Sequence, residues 1–124
     1  MRVLLDTHAL LWALADDERL SPPAREIIVD ETNDILVSVV SAWEIAVKRA
    51  LGKLEAPDNL QSVVAEAGFL QRLILFGDCK RLSNLPPIHR DPFDRMLVCQ
   101  ALEEGIPIVT RNPMIPSYPV QTIW

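Results

Sequence analysis

Two aspartates stand three residues apart in the segment 89–95, directly ahead of an apolar run. Asp91 followed by Pro92 is typical of a helix start, with Asp91 as the N-cap and Pro92 at the first helical position. Asp94 then falls at the third helical position, near the positive end of the helix dipole and on the same side of the first turn as Asp91. The two carboxylates either cap the helix or help to hold a divalent cation. The choice depends on whether other acids reach the same place.

Another acid follows the first apolar run of the chain. Arg2–Leu5 predicts a buried parallel strand, which places Asp6 at the carboxyl end of that strand. Thr7 or His8 then begins a short predicted helix that continues through Leu14. Asp6 could therefore cap this helix, or it could contribute an oxygen ligand at the edge of a sheet.

A glutamate stands at the start of the helix after the second predicted strand. The run Ile35–Val39 predicts the strand, and Ser41 with Glu44 three residues later forms a predicted capping box. Gly52 ends the helix. Glu44 could serve only the capping box, could pair with Lys48 one turn later, or could face the same site as the first acid.

The remaining strands and helices alternate along the chain. They are a helix capped by Ser21, a helix over 60–67, a short strand over 73–76, an irregular segment over 79–90, a helix over 92–104, and strands over 107–110 and 120–123. This alternation predicts right-handed crossovers and a parallel sheet with helices on both faces, in one domain spanning residues 1–124. Such sheets bind ligands beyond the carboxyl ends of their strands, where the strand order reverses.

Three acids are predicted to lie at that edge of the sheet. Asp6 follows the first strand, Glu44 begins the helix after the second, and Asp94 begins the helix before a late strand. Clustered carboxylates repel one another unless a cation compensates their charge. Oxygen ligands suit Mg²⁺ or Mn²⁺, and such ions can activate water and stabilise the leaving oxygen of a phosphodiester. The sequence therefore predicts a divalent-cation site.

The composition restricts the class of protein. The chain has 124 residues, of which 49% are hydrophobic, and its formal net charge is -5. This is typical of one soluble globular domain, with no run long enough to span a bilayer and no signal peptide. The two cysteines, one of them expected to be a buried free thiol, favour a reducing, cytoplasmic setting. The negative charge argues against a general nucleic-acid coat, but it permits a nuclease whose acids hold cations.

Four blocks of the sequence resemble a PIN-domain protein, and more narrowly the VapC-type toxins of bacterial toxin–antitoxin pairs. The blocks are 4–12, 38–44, 89–95 and 118–124, in the order in which the family has them. The resemblance implies a three-layer α/β/α fold with a central, mostly parallel five-stranded sheet. It implies an endoribonuclease that depends on Mg²⁺, with Mn²⁺ as a substitute, and acts on an RNA substrate. It also implies a homodimer and a cognate VapB-like antitoxin that blocks the active site.

The resemblance assigns catalytic and metal-binding roles to Asp6, Glu44 and Asp94. It implies that Asp6 and Asp94 bind the ion directly, and that Glu44 binds it or orients its water. Asp91 is an additional acid of the Asp-Pro-Phe-Asp variant. Where the family usually has an aspartate shortly after the fourth strand, this chain has Asn112. An asparagine still offers a neutral oxygen, but it removes one negative charge and weakens a second metal position.

Other polar and aromatic residues near these acids each have two readings. Thr7 could hydrogen-bond a phosphate, position Asp6 or cap a helix. Three arginines could contact RNA phosphates or be ordinary surface charges: Arg90, Arg95 and Arg111. Structural or capping roles are favoured for His8 and His89. Core or dimer contacts are favoured over base stacking for the three tryptophans, which are Trp12, Trp43 and Trp124.

Two other functions fit parts of the same sequence. If Asn112 marks a degenerate site, the chain is a catalytically impaired PIN-like module that binds RNA or an antitoxin without turnover. A different α/β phosphohydrolase acting on a small phosphoester is permitted by Asp6, but the chain has neither a glycine-rich phosphate loop nor a second aspartate two residues later.

Overall fold

A central sheet of five strands organises the computed structural model, which describes all residues 1–124. The strands are β1 (Arg2–Leu5), β2 (Asp34–Ser38), β3 (Leu70–Arg72), β4 (Ile108–Val109) and β5 (Thr122–Ile123). The helices are α1 (Thr7–Leu14), α2 (Pro22–Val29), α3 (Val39–Ala50), α4 (Leu60–Glu66), α5 (Phe76–Leu82) and α6 (Pro92–Glu104), and a short 3₁₀ turn spans Ile115–Ser117. All strand pairs are parallel, in the order β3-β2-β1-β4-β5. The predicted fold class is confirmed.

Helices cover both faces of the sheet. The central strand β1 directs apolar side chains alternately to the two faces, so each face has a core for helices to pack against. Val3 and Leu5 belong to a core cluster with residues of α1 and α2, whereas Leu4 belongs to a second cluster with residues of α6. Successive side chains of a strand point to opposite faces, so the three buried apolar residues of β1 supply both cores. Each such fully buried side chain contributes roughly 1.5–3 kcal/mol of stability. None of the helices has the length and apolar character needed to cross a membrane.

The order of the strands reverses between β1 and β4. The chain proceeds from β1 to β2 and β3 on one side, and then places β4 and β5 on the other side of β1. The backbone N–H of Asp6 donates to the carbonyl oxygen of Val109 at 3.1 Å, so the carboxyl ends of β1 and β4 lie side by side. This is the point where parallel α/β sheets bind ligands.

Helix α3 begins three residues earlier than the capping-box prediction requires. Its N-cap is Ser38, whose Oγ accepts the backbone N–H of Val40 at 3.0 Å. The predicted capping box of Ser41 and Glu44 is therefore wrong. The last residue of β2 supplies the cap itself, so no connecting loop separates strand from helix and Ser41 already lies within the first turn. Glu44 is left buried in the second turn, without a capping role.

The strand predicted over 73–76 is also wrong. The edge strand is instead Leu70–Arg72, and α5 fills the first part of the segment predicted to be irregular, 79–90. The guanidinium of Arg72 fixes this arrangement with two hydrogen bonds of 2.8 Å to the carboxylate of Asp78. The run 73–76 is apolar, which is typical of a buried strand, but its side chains are largely exposed in the structure. Apolar character alone therefore did not identify a strand here.

Helix α6 has the predicted bounds. The Oδ1 atom of Asp91 accepts the backbone N–H of Asp94 at 2.9 Å, as expected of an N-cap. Gly105 ends the helix with a φ of +66°, a left-handed conformation in which a β-carbon is strained. The first turn of α6 therefore holds both aspartates in a defined orientation.

Candidate active site

A small polar cleft of about 110 Å³ lies at the carboxyl edge of the sheet. No apolar residue lines it. The lining residues are Asp6, Thr7, His8, Glu44, Lys48, Asp91, Asp94 and Asn112. The structure thus brings together all three acids that the sequence placed at this edge, together with the additional acid Asp91 and the amide of Asn112.

Asp6 is held by hydrogen bonds to both of its carboxylate oxygens. Oδ1 accepts the backbone N–H of Ala9 at 2.8 Å, and Oδ2 accepts the hydroxyl of Thr110 at the end of β4. The side chain does cap α1, but this capping uses one oxygen alone. Burial raises the pKa of Asp6, and the nearby Glu44 adds to the rise, against the opposing effect of both hydrogen bonds.

Glu44 is 4% exposed and is held by two polar neighbours. Its Oε1 accepts the hydroxyl of Thr7 at 2.6 Å, and its Oε2 forms an ion pair with Lys48. Thr7 Oγ also lies 3.0 Å from the hydroxyl of Ser41. The predicted i,i+4 pair of Glu44 and Lys48 is therefore present, and Thr7 orients the glutamate rather than capping a helix.

Asp94 accepts two hydrogen bonds on the same oxygen. Its Oδ2 lies 2.9 Å from Nδ2 of Asn112 and 3.2 Å from Nε2 of His89. Burial raises the pKa of Asp94, and the charges of Asp91, Glu44 and Asp6 add to the rise. The Oδ1 atom of Asp94 has no hydrogen-bond partner within the protein, and neither has Oδ2 of Asp91.

Asn112 is a donor to the acidic cluster. Its Nδ2 donates to Asp94, while its Oδ1 accepts the backbone N–H of Met114 at 2.9 Å. Its own backbone N–H donates to Thr110 Oγ at 3.0 Å. The amide oxygen that the sequence offered as a ligand is thus engaged within the loop, and the side chain contributes an N–H to a neighbouring carboxylate.

The three arginines near the acids differ in their surroundings. Arg95 donates to the carbonyl oxygen of Pro86 at 2.8 Å and to the Tyr118 hydroxyl at 3.0 Å. Arg90 and Arg111 are exposed and have no hydrogen-bond or ion-pair partner within the protein. The guanidinium of Arg111 lies 4.7 Å from the centre of the Trp12 ring.

The tryptophans divide between core and surface. Trp12 is buried and its ring lies 5.7 Å from that of the half-buried Trp124. Trp43 is 53% exposed, and Phe93 packs against it edge-on at 4.8 Å. The exposed His8 lines the cleft and lies 5.5 Å from the Trp12 ring. Of the core or dimer contacts that the sequence favoured, Trp12 has a core contact, and a dimer contact of the exposed Trp43 stays a prediction.

Sequence reasoning missed Thr110 and Tyr118, which bond to Asp6 and His89 respectively. Thr110 could have been found from its position at the end of a predicted strand beside that of Asp6. No local signal points to Tyr118, which lies 29 positions from its partner.

The donor chemistry of the cleft fits a hard divalent cation, which prefers carboxylate oxygens. Four carboxylates share the cleft, and two of their oxygens lack protein partners. Burial is the main cause of the raised pKa values of Asp6 and Asp94, and the neighbouring carboxylates add to the rise. In this structure no group of three or more His, Cys, Asp or Glu side chains is placed so that it could hold a metal ion. Both oxygens of Asp6 and of Glu44 accept hydrogen bonds from the protein, so an ion would have to share these oxygens with their present donors.

Fold and cleft together define a parallel α/β/α protein with an acidic site at the switch point of its sheet. The chain belongs to the PIN domain family, which matches residues 3–120. It is 27% identical over 138 aligned positions to Ribonuclease VapC22 of Mycobacterium tuberculosis (strain ATCC 25618 / H37Rv), covering 98% of each chain. Ribonuclease VapC16 of the same organism is 48% identical over 42 residues, or 34% of this chain and 30% of that one.

Two solved structures share the fold at 16% sequence identity. One is VapBC2 from Rickettsia felis bound to a DNA fragment from their promoter, with a TM-score of 0.69 over 99% of this chain and 98% of that chain. The other is FitAcB from Neisseria gonorrhoeae, with a TM-score of 0.59 over 98% and 96%. These similarities agree with the arrangement of strands and helices described above.

Proposed function

We propose that this protein is a VapC-type toxin, an endoribonuclease that hydrolyses RNA phosphodiesters with the help of a divalent cation. The convergence of four carboxylates on one polar cleft at the switch point of the sheet carries this proposal. Membership of the PIN domain family and the similarity to proteins named as ribonucleases support it.

The residues that would hold the ion are Asp6, Glu44 and Asp94, with Asp91 beside them. Mg²⁺ is the expected ion and Mn²⁺ its substitute, because the donors are hard oxygen atoms. When bound, such an ion supplies positive charge that favours ionised water and stabilises the oxygen that leaves the phosphorus. The reaction adds water across one phosphodiester bond, so the P–O bond breaks and the leaving oxygen takes up a proton.

Other residues of the chain orient the acids and are available to contact the RNA. Thr110 holds Asp6, and Thr7 with Lys48 holds Glu44, so each carboxylate is fixed before substrate arrives. Arg90 and Arg111 have free guanidinium groups for RNA phosphates, whereas Arg95 already donates to groups within the protein.

A VapB-like antitoxin is the expected partner, and a homodimer the expected assembly, in the cytoplasm. One similar structure is a VapBC complex. Large apolar side chains are exposed beside the edge strand β3, with Phe76 at 96%. Such a patch on a soluble protein supports coverage by another chain. Sedimentation equilibrium of the wild type and Phe76→Asp would measure the assembly.

The proposed activity is tested by incubating total RNA with the protein in Mg²⁺ and in Mn²⁺. Asp94→Asn removes a ligand, and Asp58→Asn is the matched control because Asp58 is an exposed acid outside the cleft. We expect discrete, metal-dependent fragments from wild type and Asp58→Asn, and at least a 100-fold slower reaction from Asp94→Asn. A folded wild type that cuts in neither metal would reject the nuclease and favour a PIN-like module without turnover.

A further inference from the structure

Four side chains form a chain of hydrogen bonds that leads from the partly buried Arg95 through the buried Tyr118 to the cleft. Arg95 NH1 lies 3.0 Å from the Tyr118 hydroxyl, which lies 2.7 Å from Nδ1 of His89. Nε2 of the same ring lies 3.2 Å from Oδ2 of Asp94. Tyr118 is 2% exposed, and His89 and Asp94 are largely buried. The direction of each hydrogen bond can therefore be worked out from the donors available.

The direction is fixed at Tyr118. Its hydroxyl oxygen accepts hydrogen bonds from the guanidinium of Arg95 at 3.0 Å and from the backbone N–H of His89 at 3.2 Å. Both of these groups can only donate. A phenolic oxygen accepts about two hydrogen bonds and donates one. Its acceptor capacity is thus filled, and its proton must be donated. The acceptor within reach is Nδ1 of His89.

The tautomer of His89 follows from this direction. An Nδ1 that accepts a hydrogen bond carries no proton, so the neutral ring carries its proton on Nε2. Nε2 then donates to Oδ2 of Asp94, the oxygen that also accepts from Asn112 at 2.9 Å. Two N–H donors on one oxygen fix the plane of the carboxylate and leave Oδ1 without a protein partner.

We propose that Tyr118 is a positioning residue for the candidate active site. It selects the Nε2–H tautomer of His89, and through that ring it orients Asp94 with Oδ1 free to bind a cation. This inference rests on the proposed function for the cation, but the tautomer rests on the hydrogen bonds alone. Groups that orient a metal ligand from behind change metal affinity by about 10–100-fold when removed.

The tautomer is tested by long-range ¹H–¹⁵N correlation spectra of the metal-free full chain at about pH 8, above the ordinary pKa of histidine. We expect His89 to show a protonated Nε2 and an unprotonated Nδ1, and Tyr118→Phe to lose this preference. His8, which is exposed and has no hydrogen-bond partner, provides the internal reference for a ring without a fixed tautomer. A proton on Nδ1 of His89 in the wild type would overturn the proposal.

The positioning role is tested by calorimetric titration of Mn²⁺ into the same proteins. Tyr118→Phe should weaken binding about tenfold. His89→Ala should weaken it similarly, and His89→Gln, whose amide N–H reaches the position of Nε2, should recover most of the affinity. Ile115→Val is the matched control, because it shortens a buried side chain in the same core cluster without touching these hydrogen bonds. Thermal melts establish that each variant is folded.

The outcomes separate this inference from the proposed function. If the wild type binds Mn²⁺ and Tyr118→Phe binds it equally well, the positioning role is rejected and the nuclease stands. If Ile115→Val weakens binding as much as Tyr118→Phe, loss of packing explains the effect and the positioning role is also rejected. If the folded wild type binds no divalent cation, the proposed function fails, and the role assigned to Tyr118 fails with it.

Discussion

At the scale of single residues, we expect the ionised carboxylate of Asp94 to lower the stability of the metal-free protein. Burial and the charges of Asp91, Glu44 and Asp6 raise its pKa. A group whose pKa is higher in the folded chain stabilises the fold below its unfolded pKa, and that contribution is lost as pH rises through the folded pKa. The metal-free protein should therefore lose stability from about pH 4 upward on account of this group.

Asp94→Asn should therefore raise the stability and the Tm of the metal-free protein at neutral pH. The amide oxygen can still accept from Asn112 and His89, so the charge is what changes. The measurement is thermal unfolding in EDTA between pH 4 and 8, with Asp58→Asn as the exposed control. Excess Mn²⁺ should reverse the order, because only the wild type keeps the ligand. A lower Tm for Asp94→Asn in EDTA would contradict this explanation.

A negative charge can also be added to the cleft, at Asn112. Asn112→Asp replaces an N–H donor 2.9 Å from Oδ2 of Asp94 with a like charge. We expect the metal-free variant to lose about 1–2 kcal/mol of stability, and Mn²⁺ to restore more stability to it than to the wild type. Urea unfolding with and without the ion measures both effects. An unchanged metal-free stability would show that Asn112 does not bear on Asp94.

The sequence predicted the acids of the cleft and the pairing of Lys48 with Glu44, but not the hydroxyl groups that hold these acids. Asp6, Glu44 and Asp94 were found because each follows a strand or begins a helix at one edge of a parallel sheet. The hydroxyls of Thr7 and Tyr118 reach partners 37 and 29 positions away. Such contacts depend on how the strands and helices are assembled, so spacing along the chain does not indicate them.

At the scale of helices and strands, prediction succeeded where local chemistry marks both ends. Helix α6 has an aspartate N-cap, a proline in its first turn and a left-handed glycine at its end, and its bounds were predicted correctly. Helix α3 was misplaced because both Ser38 and Ser41 are plausible caps, and only the strand before it decides between them. The strand β3 and helix α5 were missed because buried charges, not apolar residues, hold them in place.

Asp78 holds α5 against β3 through a buried ion pair with Arg72. Burial raises its pKa, but the hydrogen bonds from Arg72 and the N–H of Leu75 outweigh this, so the pKa is lowered. Asp78→Ala should cost about 3–5 kcal/mol, because it leaves Arg72 buried with one carboxylate fewer. Asp58→Ala, which removes an exposed ion pair with Arg49, should cost less than about 1 kcal/mol.

The pH dependence of this pair has the opposite sign to that of Asp94. A lowered pKa means that the contribution of Asp78 is present above about pH 4 and is lost as pH falls through its folded pKa. Acid titration of Asp78→Ala should therefore show a smaller loss of stability below pH 4 than the wild type. Parallel acid curves for the two proteins would contradict the ion pair.

At the scale of the whole molecule, the proposed function requires an acidic chain to bind a polyanion. The formal net charge is -5, and most basic side chains form ion pairs with carboxylates. The paired ones are Arg2, Arg19, Arg25, Lys48, Arg49, Arg72 and Arg81. Of the basic side chains without a carboxylate partner, Arg90, Arg95 and Arg111 are next to cleft residues in sequence or on the first turn of α6. Arg90 and Arg111, which have no hydrogen-bond or ion-pair partner within the protein, therefore offer free guanidinium groups on residues adjacent in sequence to the cleft residues Asp91 and Asn112.

Arg111 is the best placed of these to meet a phosphate, because stacking on Trp12 limits the motion of its guanidinium. Arg111→Gln in an Asp94→Asn background, which prevents cleavage, should weaken binding of a fluorescent single-stranded RNA about tenfold. It should also reduce the slope of log K against log salt concentration by about 0.7, the value for one phosphate contact. The loss should be equal for oligo-A and oligo-U, because a phosphate contact does not read bases.

Lys53→Gln removes the same charge from an exposed lysine outside the cleft, and it should leave affinity and slope unchanged. If both variants lower the slope equally, net charge alone explains RNA binding, and Arg111 has no contact of its own.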